Sequence, residues 1–315
     1  MWVPLAEAAS HDDVLHQPGE GDDWSEHHYF FFSDTATGIA GGCRVAWRSA
    51  DGAGKGMVFC FLPDGVALWQ QDGGNDRLAA GPLVLSGKPL GEWTVRFDGE
   101  ALVLSDGLAL SGLRAEVGEM SSTSLALDLT FTPTSPAVEA APGADAAELV
   151  ARIAPRRFEQ AGRYEGKVDV AGNAVAWSGW GTRDHSWGNR RAQGLRQWKW
   201  CTLPLGESFC GGAGQVELDD GEIQSGWLSV DGRLVDVDAA SVDYVFDETG
   251  VVPASASVTW STAAGVRRAE GEVVVPLGMR VVEHGRPVLA VESLARWHGD
   301  DGTTGYGIIE YIRAD

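Results

Sequence analysis

Short β-type runs, punctuated at close and even intervals by turn chemistry, constrain this chain more than any other feature. Tyr29-Phe30-Phe31-Phe32, Met57 to Leu62, Trp93 to Phe97 and Ala101 to Leu104 are such runs. Pro63-Asp64-Gly65, Asp98-Gly99 and Asp106-Gly107 break them apart. Leu125 to Phe131 alternates apolar and polar residues, as a half-buried strand does. The pattern continues through a hairpin turning at Ala171-Gly172-Asn173, then Gln197 to Leu203, Gly226 to Val230, Ser255 to Trp260 and Tyr306 to Ile312. No long amphipathic helical pattern competes with it. Evenly spaced short strands imply an antiparallel sandwich or barrel. An all-β fold is therefore expected.

Its 315 residues suit one large domain or two of ordinary size. Residues 133–150 are rich in Ala, Pro, Gly and acidic side chains, the composition of a linker or long surface loop. A short helical turn is expected from Asp145 to Ile153. The similarly built halves on either side predict two barrels, over residues 1–132 and 151–315.

Composition narrows the partners. With 45 Asp and Glu against 24 Lys and Arg, the net charge is -21. Such a surface repels nucleic acid and anionic membranes. No run of about 20 apolar residues is present to span a bilayer as a helix. The start, MWVPLAEAAS, lacks the basic and apolar regions of a secretory leader, so a cytoplasmic location is expected. Cys43, Cys60, Cys201 and Cys210 have no zinc-site spacing and are expected to be buried thiols. No metal is expected.

The densest chemistry lies between Gly179 and Arg190, which holds two indoles, Arg183, Asp184 and His185 among spaced glycines. Asp and His are the side chains best able to move a proton near neutral pH. Glycine lets the backbone come close to a neighbour. Alternation on a strand sends Asp184 and His185 to opposite faces, so only one of them lines a given pocket.

Four segments, in order, carry a family resemblance. They are Trp24-Ser25-Glu26-His27-His28-Tyr29-Phe30-Phe31-Phe32; Arg157-Phe158-Glu159-Gln160-Ala161-Gly162-Arg163-Tyr164-Glu165-Gly166; Gly179 to Arg190, with its Asp184-His185-x-Trp187-Gly188 core; and Gly305-Tyr306-Gly307-Ile308-Ile309-Glu310. With them the chain resembles the carotenoid 1,2-hydratase-like (hydroxyneurosporene synthase-like) family of lipocalin-like calycins over nearly its whole length. It is nearer to a branch marked by Arg-Asp-His-Ser-Trp-Gly-x-Arg than to the carotenoid hydratases themselves. The resemblance implies two consecutive lipocalin-like antiparallel β-barrels and a pocket for a small hydrophobic molecule. It implies catalysis without cofactor or metal, by protonation of a C=C bond, ending in hydration, isomerisation or cyclisation of a terpenoid or polyene-like substrate. It also assigns Trp24 to closing a barrel against a basic residue.

The residue chemistry is compatible with that expectation. A carboxyl in an apolar, aromatic pocket keeps its proton, because burial disfavours the charged form. Asp184, between Trp180 and Trp187, is the candidate acid, with His185 to re-protonate or orient it. Glu310 is the candidate carboxylate for holding water. Trp180, Trp187, Trp198, Trp200 and Tyr306 are candidate walls for a cation, and Arg183 and Arg191 for a polar substrate end. Each has a structural alternative. Asp184 beside Arg183 is equally an ion-pair member, the tryptophans are equally core, and Glu26 and Glu159 suit a polar network between domains. His11 and His16 fall in an Asp-rich segment read as surface loop. A non-catalytic lipophile-binding protein would carry much the same sequence.

Overall fold

The computed structural model describes residues 1–21, 23–72, 74–114, 120–153, 155–190, 193–283 and 286–314. Eight strands form a first ring: β1 (Trp24–Ser33), β2 (Ala40–Arg48), β3 (Ala53–Leu62), β4 (Gly65–Asp72), β5 (Trp93–Leu104), β6 (Met120–Pro133), β7 (Arg156–Val170) and β8 (Asn173–Asn189). Each pairs antiparallel with the next, and β8 returns to β1, so the ring closes without an edge. A second ring runs through β9 (Leu195–Pro204), β10 (Cys210–Leu218), β11 (Gly221–Val230), β12 (Val237–Phe246), β13 (Pro253–Thr262), β14 (Gly265–Glu283), β15 (Arg286–Gly299) and β16 (Thr304–Ala314). Here β16 pairs back with β9, and β11 lies beside β12 at a seam where no ladder joins them among the described residues. The fold is all-β, two consecutive lipocalin-like antiparallel barrels.

The hydrogen-bonded sheets divide the chain after Asn189, not at 133–150. Residues 156–189, expected in the second barrel, supply β7 and β8, because the first ring needs eight strands to close. The expected linker is structured instead. Val138–Ala140 pairs with both Leu5–Glu7 and β7, and α1 (Ala144–Ile153) buries Leu149, Val150 and Ile153. The β7–β8 hairpin turns on Ala171 and Gly172, both at positive φ (55° and 79°), which matches the twist of the flanking strands. All four cysteines are free and buried.

The aromatic run in β1 shows how the barrels meet. Phe30 and Phe32 point into the first barrel, onto Val58, Phe97 and Phe131. Phe31 points the other way, into a cluster with Phe59 and Phe61 and with Leu277, Met279 and Ile308 of the second barrel. Both faces of β1 are therefore buried, which explains a strand with no polar alternation. The spaced glycines of β8 serve close packing. A Cβ on Gly181 would fall 1.9 Å from the Phe31 carbonyl oxygen and 2.5 Å from the Tyr164 ring. Gly181→Ala is expected to destabilise the protein by about 1–3 kcal/mol through overpacking, read by urea unfolding. A loss under about 0.5 kcal/mol would show that the barrels yield there.

Candidate functional site

Side-chain alternation sorts the Gly179–Arg190 segment. Along β8, Arg183, His185 and Trp187 point into the first barrel, whereas Thr182, Asp184 and Ser186 point out toward the second. Between the outer faces lies a cavity of about 190 Å³. β8 gives it Thr182, Asp184 and Ser186, and β7 gives Arg157 and Glu159. His27 and Tyr29 of β1, Arg44 of β2 and Arg190 add to the first barrel's polar wall. The second barrel adds Trp198 and Trp200 of β9, Glu292 of β15 and Glu310 of β16.

Four carboxyls thus share one enclosure, set by strand register. Glu159 pairs opposite Asp184 across β7–β8, and Glu292 pairs opposite Glu310 across β15–β16. Like charges placed opposite each other repel, and the site resolves this in two ways. On the first barrel, Arg157 bonds both Asp184 (through Nε) and Glu159 (through an Nη), while its guanidinium stacks 4.3 Å from the Trp200 ring centroid. Ser186 Oγ donates to Asp184 at 3.2 Å. Asp184 is therefore an ion-pair member.

On the second barrel, burial favours the protonated carboxyl against the pull of Arg44 from the first barrel. Burial, reinforced by Glu292, pushes Glu310 up to about 8 against the opposing pull of Arg157. Burial also raises Glu292, although Tyr29 donates a hydrogen bond to it. Glu159 reaches about 7, because burial outweighs Arg157; its Oε2 accepts from Trp227 Nε1 at 2.8 Å. The cavity thus holds a carboxyl largely protonated at neutral pH beside a fixed carboxylate–guanidinium pair.

The remaining candidates are elsewhere. Trp187 is on the opposite face from Asp184, stacked at 4.0 Å on His16. Trp180 shares Asp184's face but lies four residues, ~13 Å, along the strand. It lines a separate cleft together with Tyr306. Asp184 therefore does not sit between two indoles. Arg183 is buried in the first barrel, where Asp13 takes both of its terminal nitrogens, at 3.1 and 2.7 Å, and Gln160 takes Nε. His185 stacks on His28 at 4.0 Å and bonds Glu26 at 3.1 Å. Burial pulls its proton affinity down, but Asp13 and Glu26 outweigh this and hold it above the ordinary value. Arg191 lies outside the described residues.

His16, read from sequence as surface loop, instead caps this network, bonding Glu26 through Nδ1 at 2.9 Å. His16, Glu26 and His185 place one ligand atom each within 4.8 Å of one another, so they are the group able to hold a metal among the described residues. Their donors already meet carboxylates, and Arg77 neutralises the other oxygen of Glu26. Arg77 also lies over the Trp24 ring, 5.2 Å from its centroid, closing this end of the barrel.

Sequence reasoning missed Arg157, Tyr29, Arg44 and Glu292 as site residues. Arg157 and Glu159 are two apart on one strand, and Glu292 is a lone carboxylate in an apolar run. Those signals were present, but neither shows that the two strands face each other across a cavity.

The family known as DUF7064, a domain of unknown function, matches residues 9–314. The chain belongs to it. No curated protein matches this DUF7064 chain in sequence. Solved structures do resemble it. A protein assigned as AttH from Nitrosomonas europaea aligns with a TM-score of 0.62 at 13% identity, covering 95% of this chain and 98% of that one. CghA, solved with Sch210972, aligns at 0.59 and 10%, covering 99% and 98%. Kievitone hydratase from Nectria haematococca aligns at 0.59 and 12%, covering 98% and 93%. At these identities the likeness is one of fold. Among the described residues no helix is long and apolar enough to cross a membrane.

Proposed function

We propose that the DUF7064 chain is an acid–base enzyme that acts on a small hydrophobic molecule in the cavity between its barrels, by protonating an alkene. The observation that carries this reading is Glu310, a carboxyl raised to about 8 and facing the cavity beside Trp200, its partner across the β9–β16 ladder. An alkene is a weak base, so its acid must reach neutral pH still protonated and be shielded from bulk water. Glu310 meets the first requirement, whereas Asp184 is engaged directly by Arg157.

In the forward step the alkene π pair takes the Glu310 proton, forming a C–H bond and leaving a cation on the neighbouring carbon. The Trp198 and Trp200 indoles, which also take the Arg157 guanidinium 5.5 and 4.3 Å from their centroids, line the cavity where the cation forms. Water then adds at the cation and returns a proton to the Glu310 carboxylate, giving hydration. Loss of a neighbouring proton to the same carboxylate gives isomerisation; attack by a second alkene of the same molecule forms a C–C bond and moves the cation, which then loses a proton to that carboxylate, giving cyclisation. Arg157 and Asp184 act as positioning residues, fixing the charged wall opposite Glu310. One structural neighbour, kievitone hydratase, is consistent with such chemistry. So is the resemblance to carotenoid 1,2-hydratase-like proteins carried by the Asp184-His185-x-Trp187-Gly188 core.

The test is incubation with a panel of terpenoids and polyenes in D2O, read by mass. Deuterium with a gain of water identifies hydration, and deuterium alone identifies isomerisation or cyclisation. Unchanged compounds recovered bound would establish the alternative, a non-catalytic lipophile-binding protein.

The same carboxyl predicts the pH profile. Turnover requires the protonated form, so kcat/KM is expected to fall about tenfold per unit above pH about 8. The linkage to folding has the same direction. A raised folded-state pKa favours the fold fully below the ordinary carboxyl range, and this contribution is lost as pH rises toward about 8. A rate independent of pH between 7 and 10 would remove Glu310 from the acid role.

A further inference from the structure

Beside the main cavity lies a second, of about 70 Å³, which shares Ile153, Arg157, Glu159, Trp198 and Trp200 as walls. Beyond that shared partition its lining is apolar but for Ser225. Val150 of α1, Val3 and Leu5 of the amino-terminal segment, Ala140, Val216 and Ile223 line it. We infer that the ligand is elongated, and that its hydrocarbon end enters this lobe past Arg157 while its reacting part meets Glu310. The inference rests on the cavity being a small-molecule site, and it adds the shape and chemical class of the molecule.

Two arguments support it. An empty apolar space destabilises a fold in proportion to its volume, and small walls such as Ala140 and Val150 leave this one open where a larger side chain would fill it. The partition is also amphipathic. Arg157 gives its nitrogens to Asp184 and Glu159 and stacks its flat face on Trp200, so a chain passing it meets a paired, stacked guanidinium rather than a bare charge. Within the lobe's wall, Trp227 donates to Glu159 at 2.8 Å, so that buried pair is satisfied.

The probes are primary n-alkanols from hexanol to dodecanol, titrated against the whole protein with tryptophan fluorescence as the readout. The dissociation constant is expected to fall about fourfold per methylene until the lobe is full, then level off. Val150→Phe and Ala140→Leu, which fill the lobe from different elements, are expected to weaken the longer alkanols at least tenfold and leave hexanol unchanged. Two variants guard against one failing to fold, with far-ultraviolet dichroism as the check. Alkanols that bind equally at all lengths, or variants that bind them all as wild type does, would overturn the lobe assignment alone. Absence of binding by every alkanol would overturn the cavity reading with it. Because binding is read without turnover, loss of the acid role at Glu310 leaves this result interpretable.

Discussion

Glu310→Gln is expected to reduce turnover by about 10²- to 10⁴-fold, the range set by removing a positioned general acid, with the fold and bound ligand retained. The amide keeps the shape and polarity of the carboxyl but has no proton to give. The substitution also relieves a repulsion, because Glu292 sits directly opposite on β15 and contributes to the raised affinity of Glu310 for its proton. Thermal stability is therefore expected to hold or rise at pH 8 and above, where the wild type must ionise this group. A fall in kcat with unchanged KM identifies an interaction made in the transition state. Loss of ligand affinity with unchanged kcat would make Glu310 a binding residue and end the acid assignment.

Arg183→Met is expected to destabilise the protein by about 3–5 kcal/mol, the penalty for leaving one partner of a buried ion pair uncompensated. Arg183 and Asp13 are both almost wholly buried, their side chains 1% and 0% exposed, and they are joined by two hydrogen bonds. The guanidinium lies among the Trp93, Phe131 and Phe158 rings. Asp13 comes from the segment before β1, so this pair ties the amino terminus into the base of the first barrel. Burial by itself would raise the Asp13 carboxyl, but the His185 ring 3.4 Å away and the Arg183 hydrogen bonds outweigh it and hold the group well below the usual range. A depressed folded-state pKa contributes stability above the unfolded value near 3.8 and loses it as pH falls. Urea unfolding at pH 7 measures the loss, and Asp13→Asn combined with Arg183→Met is expected to recover part of it. A loss below about 1 kcal/mol would show that the barrel base is held by its aromatic packing instead.

Much of the fold was legible because strands and turns are local. The Ala171-Gly172 turn, the alternation in Leu125 to Phe131 and the apolar run of β1 each announce themselves within a few residues. The division into barrels was not legible. The linker composition of residues 133–150 marks a real break in strand pattern, but only ring closure assigns β7 and β8 to the first barrel. The site was legible in part. Asp184, Trp198, Trp200 and Glu310 all line the cavity, whereas the side chains of Trp187, Arg183 and His185 point to the opposite face.

The sequence by itself determined the all-β class, the turn positions and the parting of Asp184 from His185, since the two-residue period of a strand permits nothing else. It did not determine which face meets what. In a strand buried on both sides, like β8, the periodicity is the same whether a face meets a barrel core or a neighbouring barrel. Nor did it determine which carboxyl keeps its proton. That depends first on burial, then on Glu292, set opposite Glu310 by the β15–β16 register, and on Arg157, brought from the first barrel by the packing of the two. Charge interactions of this kind are set by distance in space, and only the tertiary structure supplies it.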